Sequence, residues 1–366
     1  MAQPSSPPIS HSHRRAASAG PVDASAGISS ERRPVMNQPA RARADKPEIV
    51  VEDLMIPSDT AGISLHLRNK RSAALTTFAA ERTILMMHGA TYASESLFDT
   101  PLEGVSFMDY LAVLGYDVFA LDVRGYGRST RPPEMDAPPE QSEPLVRTEI
   151  GVRDLASAVA HVLKQRDIDR LNLVAMSWGG SVAGAYTAAN NDTVNKLALV
   201  APLWLLNGPA PIDAGGRLGG YRKVPVRDFR ERWLSAAPEA ARSSLIPPGG
   251  FELWADISLA TDPQGSSQTP PVMRAVNGPI LDIREYWGAG KGLYDAGDIR
   301  VPVLLVHAEW DRDVPIGSAQ DFFLSLKHAP YRRWVEIGEG THMLLLEKNR
   351  MQAFDAISRF LAEDYR

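Results

Sequence analysis

The segment Ala175-Met176-Ser177-Trp178-Gly179-Gly180 sets a serine between small residues two positions to either side, with an apolar run before it and a small-residue run after it. The run at 171–175 reads as a strand and 178–190 as a helix. A serine on so sharp a strand-to-helix turn presents its hydroxyl at the carboxyl edge of a sheet and at a helix N-terminus. A serine at a helix start can also do no more than cap it. The hydroxyl is a poor nucleophile unless a base takes its proton, so the chemical reading depends on whether a base and an acid occur where the chain can bring them.

Of eight histidines, His11 and His13 fall in a polar leader, His66, His161 and His328 read as surface positions, and His307 falls in or just after a strand. His342 lies in Gly338-Glu339-Gly340-Thr341-His342, a flexible loop between the last strand and the last helix. That loop is free to carry an imidazole over the sheet edge. A base in this role needs a carboxylate to hold its tautomer and stabilise the imidazolium. Counting from the end of the strand at 301–306 favours Asp311, with Glu309 and Asp313 as rivals and Asp313 left to cap or to form an ion pair. The developing oxyanion needs preorganised donors, and main-chain N–H groups of Trp178 and of Ala90, just past His88-Gly89, fit that need. None of these steps calls for a metal or a cofactor. With no cysteine, thiolate catalysis and Cys-ligated zinc are excluded.

These residues must be held by a sizeable scaffold, and 366 residues at 44% hydrophobic and 23% charged can supply one. Strands are expected at 49–55 and 63–67 as an antiparallel edge pair, then at 83–87, 117–121, 171–175, 196–201, 301–306 and 334–337. Helices are expected at 105–114, 147–166, 178–190 and 316–327, and a last one carries Phe354, Ile357, Phe360 and Leu361 as its apolar stripe. Such alternation implies an α/β architecture, a mostly parallel sheet covered on both faces. The rhythm stops over 202–298, which reads as an inserted, mainly helical cap on a core made of 48–201 and 299–366. Residues 1–47, with seven basic and three acidic side chains and few large apolar ones, read as a disordered leader. The net charge of −5 argues against a nucleic-acid partner. No 18-residue apolar run or secretory signal is found, so no membrane span and a cytoplasmic location are expected.

His88-Gly89, the turn Asp122-Val-Arg-Gly-Tyr-Gly-Arg-Ser129, the Ser177 elbow, Asp311-x-x-Val-Pro315 and His342 with Glu347 five residues on occur in the order Ser, Asp, His. Together they make the chain resemble the cap-bearing branch of the α/β-hydrolase superfamily. The resemblance implies an eight-stranded sheet, a lid inserted after the sixth strand, and a structural role for Asp122 and Arg124 beside the site. Serine at 177 sets the chain apart from the epoxide hydrolases and haloalkane dehalogenases of that branch, which need a carboxylate nucleophile. Proline iminopeptidases share a Ser-Trp-Gly elbow but usually carry His-Gly-Gly-Pro-Gly where this chain has His88-Gly89-Ala90-Thr91-Tyr92. Carbon–carbon hydrolases usually have Ser-Met-Gly-Gly, from which Trp178 departs.

The many aromatic residues of the inserted block favour an apolar or aromatic small-molecule substrate. Trp204, Trp254 and Trp287, with His88 and Tyr92, are the expected pocket residues, and the block's arginines read as a solvated basic face. The expected activity is carboxylic-ester hydrolysis through an acyl-enzyme. Amide cleavage and carbon–carbon cleavage by the same triad are the alternatives. A non-catalytic binding protein of this fold is disfavoured because no triad member is missing.

Overall fold

A strand covered on both faces needs apolar residues at every position, whereas an edge strand can alternate. Both kinds occur in the computed structural model, which describes residues 47–206 and 208–365. The expected leader lies outside the described residues except for Pro47. In chain order the strands are β1 (Ile49–Pro57), β2 (Ser64–Ser72), β3 (Thr83–Met87), β4 (Asp117–Asp122), β5 (Leu171–Met176), β6 (Val194–Val200), β7 (Tyr221–Pro225), β8 (Val272–Val276), β9 (Val303–Ala308) and β10 (Arg332–Ile337). The helices are α1 (Ser94–Phe98), α2 (Phe107–Val113), α3 (Thr148–Arg166), α4 (Trp178–Ala189), α5 (Val226–Ala236), α6 (Arg242–Leu245), α7 (Gly250–Ala260), α8 (Pro263–Ser266), α9 (Gly278–Glu285), α10 (Ile316–Ser325) and α11 (Arg350–Ala362).

Eight strands form one sheet in the order β1-β2-β4-β3-β5-β6-β9-β10. The β1–β2 and β2–β4 pairs are antiparallel and the rest are parallel. Every residue of β3, β4, β5 and β9 is buried. Because side chains alternate across a strand, Leu85 and Met87 enter one apolar layer and Ile84 and Met86 the other. The first layer is closed by α3, α4 and α10 through Leu155, Val159, Val182 and Phe322. The second is closed by α2 and α11 through Phe107, Leu111, Phe354 and Ile357.

Strand β2 runs five residues beyond the expected end at 67, because its charged half is paired. Arg68 meets Asp53, Glu95 and Asp99, Lys70 meets Asp99 and Asp109, and Arg71 meets Glu52. His66, expected at the surface, is buried instead: pairing of β2 with β4 closes it between Asp122 and Asp53, each 2.9 Å away. Burial alone would lower its pKa, but the hydrogen bond and charge of Asp122, reinforced by Asp53, raise it.

The block between β6 and β9 packs with the core as one unit. It carries helices α5 to α9, irregular segments and an antiparallel ribbon of β7 and β8 whose strands lie about fifty residues apart in sequence, too far for a hairpin pattern to show. Asp122 accepts hydrogen bonds from the Ser94 and Arg128 main chains, and Arg124 forms a buried pair with Asp154 of α3 at 2.5 Å. Both therefore brace the turn after β4. Asp154→Ala leaves the buried guanidinium with only the more distant Asp59 as a carboxylate partner, so a loss of about 3 kcal/mol is expected in urea unfolding. An unchanged urea midpoint would remove this pair from the scaffold.

Candidate active site

Ser177 occupies the one-residue junction between β5 and α4, with φ 58° and ψ −124°. That conformation costs a non-glycine residue about 1–3 kcal/mol and survives only where its surroundings enforce it. The Ser177 N–H donates to the Val200 carbonyl at 3.0 Å, and its own carbonyl accepts from Gly180 and Leu203 at 2.8 and 3.1 Å. Gly179 is obligatory for space: a Cβ there would sit 2.3 Å from the His88 carbonyl oxygen. At −2 the backbone tolerates the buried methyl group of Ala175.

His342 follows β10 on a loop held from below by Glu347, whose buried carboxylate accepts from the Thr341 N–H at 2.7 Å and from the Thr341 hydroxyl. The His342 Nδ1 lies 2.9 Å from Asp311 Oδ2. The other oxygen of Asp311 accepts the N–H groups of Asp313 and Val314, each at 2.9 Å. The rival acids are engaged elsewhere: Asp313 pairs with Arg232 of α5, and Glu309 accepts from the Glu339 N–H. Burial opposes the imidazolium of His342, but the charge and hydrogen bond of Asp311, with help from Asp313, outweigh it and hold the pKa above the ordinary histidine value, while Arg232 pulls it down.

Asp311, Asp313 and His342 offer donor atoms within 4.8 Å of one another. Those donors are already committed to each other, to the main chain and to Arg232.

Ser177 and His342 line one cavity of about 300 Å³, shared with Ala90 and Trp178. The Ser177 Oγ makes no hydrogen bond to a described residue, and neither do the N–H groups of Ala90 and Trp178. Catalytic contacts of this kind commonly tighten only around substrate. Gly89 passes so close to the serine that a Cβ there would lie 3.2 Å from Ser177 Cβ, which brings the loop after β3 alongside Ser177.

Of the five expected pocket residues, Tyr92 lines this cavity. His88 lies beneath it, fully buried: its Nδ1 faces the Gly89 carbonyl at 2.7 Å and its Nε2 the Val123 N–H at 3.1 Å. Burial lowers its pKa and keeps it neutral, able to donate at one nitrogen and accept at the other. Trp204 packs between Tyr294 and Phe322, Trp254 stacks on Phe229, and Trp287 is wholly buried, so the three tryptophans are packed inside the fold and do not line the cavity. The indole of Trp178 turns away, donating to Thr148 Oγ1 of α3 at 2.9 Å. The cavity face of the inserted block includes Phe229, Arg232 and Trp233 of α5, Ile283 of α9, and Ala210 and Ile212 of the segment after β6. The Phe229/Trp233 pair is spaced i, i+4 on one helix face, a signal the sequence did carry. Arg312, which also lines the cavity, had no such signal.

Comparison with known proteins agrees with this architecture. The family model for the alpha/beta hydrolase fold matches residues 82–238. Protein ABHD8 of Bos taurus is 26% identical over 240 residues, covering 66% of this chain and 48% of that protein, so the chain spans about half the length of these curated relatives. A 2-hydroxy-6-oxononadienedioate/2-hydroxy-6-oxononatrienedioate hydrolase of Cupriavidus pinatubonensis is 25% identical over 251 residues, 66% of this chain and 74% of that one. Among solved structures, the 2-hydroxy-6-oxo-6-phenylhexa-2,4-dienoate hydrolase of a Rhodococcus strain superposes with a TM-score of 0.56 at 18% identity, covering 86% of this chain and all of that one. With its sheet order, its strand-to-helix serine turn and these similarities, the chain has the α/β-hydrolase fold.

Proposed function

We propose that the protein is a serine hydrolase that cleaves a carboxylic ester of a small apolar or aromatic substrate through an acyl-enzyme. The observation that carries this reading is the convergence on one cavity of Ser177, the His342–Asp311 pair and two unengaged main-chain N–H groups. With Nδ1 of His342 committed to Asp311, Nε2 is the nitrogen left to accept the serine proton. Ser177 Oγ then attacks the substrate carbonyl, the negative oxygen is received by the N–H groups of Ala90 and Trp178, and His342 returns the proton to the leaving alcohol. Water, activated by the same imidazole, releases the acid. Tyr92, Phe229, Trp233 and Met343 supply an aromatic and thioether wall suited to an apolar acyl or alcohol group.

A second reading, hydrolytic carbon–carbon cleavage of a 2-hydroxy-6-oxo-dienoate, draws support from the names of two of the similar proteins. It also draws support from Arg312, a cation on the cavity wall with no ion-pair partner among the described residues. The departure at Trp178 does not weigh against it, because the indole is turned to Thr148 of α3.

A fluorophosphonate probe is expected to label Ser177, and Ser177→Ala to abolish both labelling and hydrolysis of p-nitrophenyl butyrate; a Ser177→Ala chain that keeps its activity would overturn the mechanism. If p-nitrophenyl esters are inert while a 2-hydroxy-6-oxo-dienoate is turned over, the second reading replaces the first.

The base must be neutral to work, and its pKa is raised, so kcat/KM should fall on the acid side with a midpoint above about 6.5. Asp311→Asn should lower the rate by roughly 10³–10⁴-fold and move that midpoint down. Arg232→Met removes the opposing cation and should move it up. A rate that does not change between pH 5 and 8 would exclude His342 as the base.

A further inference from the structure

Arg222 was expected on a solvated basic face, but β7 carries it inward against the loop that follows β3. Its Nη2 donates to the Ala90 carbonyl at 2.7 Å and to Thr91 Oγ1 at 3.0 Å. Its Nη1 donates to the Val276 carbonyl at 2.8 Å and to Asn277 Oδ1 at 3.4 Å. All four acceptors are neutral, and among the described residues no carboxylate forms an ion pair with it. Burial works against its charge, Tyr126 beside it supports the charge, and Arg232 opposes it, with the net effect of lowering its pKa. A desolvated guanidinium without a counter-charge is a burden on the folded state. Such a group is useful where negative charge appears only during a reaction.

The place it grips is the one that matters. The Ala90 N–H shares a rigid peptide plane with the Gly89 carbonyl, which His88 holds at 2.7 Å. The next plane carries the Ala90 carbonyl, which accepts from Tyr126 Oη at 2.8 Å as well as from Arg222. Both planes flanking Ala90 are thus clamped, and the φ and ψ angles between them with it. His88 and Tyr126 belong to the core; Arg222 alone among these three comes from the inserted block. The ribbon that bears it is tied at its base, where Gly220 donates to Pro139 and Gly278 to Leu145, each at 2.7 Å.

We propose that Arg222 is a positioning residue for the oxyanion hole: borne by the β7–β8 ribbon, it fixes the Ala90 peptide so that its N–H meets the substrate oxygen, and it sets an uncompensated positive charge behind that loop. The inference rests on the serine-hydrolase reading. It makes the inserted block part of the catalytic machinery, because the hole is complete only while the ribbon is docked.

The test compares the full-length wild type with Arg222→Met and Arg222→Lys, by fluorophosphonate labelling rate of Ser177 and by kcat and KM on p-nitrophenyl butyrate, with thermal melting as the check on folding. Loss of a whole oxyanion donor costs roughly 10²–10³ in kcat, so loss of a clamp on one should lower kcat and labelling rate by about 10- to 100-fold with KM nearly unchanged. Arg222→Lys, which keeps the charge but not the fork, should recover part of that loss. Labelling and kcat within about twofold of wild type in a folded Arg222→Met chain would overturn the proposal, as would equal loss in both variants accompanied by a rise in KM. If Arg222→Met does not fold, Arg222→Lys decides alone: a kcat drop at constant KM supports the proposal and wild-type kinetics overturn it. A wild type that the probe does not label brings down the serine-hydrolase reading and this inference together, a result distinct from failure of the variants alone.

Discussion

Ser177 sits at a backbone conformation that L-residues avoid, and much of the surrounding architecture is what it takes to hold it there. The turn from β5 into α4 has no spare residue, so the strand must end in apolar packing on both faces and the helix must start at once. The main-chain hydrogen bonds to Val200, Gly180 and Leu203 anchor the turn to β6 and the loop after it. The close approach of Gly179 to the His88 carbonyl brings the loop after β3 alongside. That contact places the two main-chain donors and the hydroxyl on the same side of the sheet edge. The strain at one residue is thus tied to the adjacency of β3, β5 and β6 in the sheet.

Around the serine, three buried or half-buried carboxylates lie close together, and each is assigned by what donates to it. Asp311 receives two main-chain N–H groups and His342, Asp313 receives Arg232, and Glu347 receives Thr341 and the Trp233 indole at 2.6 Å. Burial disfavours all of these charges, so each must be satisfied by fixed donors, which also fix the loops that carry the donors. Burial keeps Glu347 above its usual carboxylate range, opposed by the hydrogen bonds from Thr341 and Trp233. The same carboxylate therefore ties the histidine loop to helix α5 of the inserted block.

Among the described residues, the inserted block meets the site at charged or polar points that include Arg222 on the loop after β3, Arg232 on Asp313 and Trp233 on Glu347. Each joins a residue of the block to a loop at the carboxyl edge of the core sheet. The apolar wall formed by Phe229 and Trp233 lies on the same helix as Arg232, so the contacts of α5 also set the shape of the cavity.

Much of this was legible in the sequence. The parallel core strands, the covering helices, Ser177 and His342 each follow from short-range rules: runs apolar on both faces, helical spacing, small residues at a tight turn, a glycine-rich loop in a fixed order. Those rules depend on neighbours a few residues apart, which a sequence displays directly. The tertiary structure decided what depends on distant partners. It put Asp311 rather than Asp313 against the imidazole, because Arg232, some eighty residues away in the chain, claims the latter. It buried His66 between two aspartates, packed Trp204, Trp254 and Trp287 inside the fold and away from the cavity surface, and turned the Trp178 indole toward α3. It also drew Arg222 from an apparent surface face onto the loop after β3. A residue type states what a side chain can bond to; which partner it meets, and whether water still competes for it, is settled only when distant segments pack.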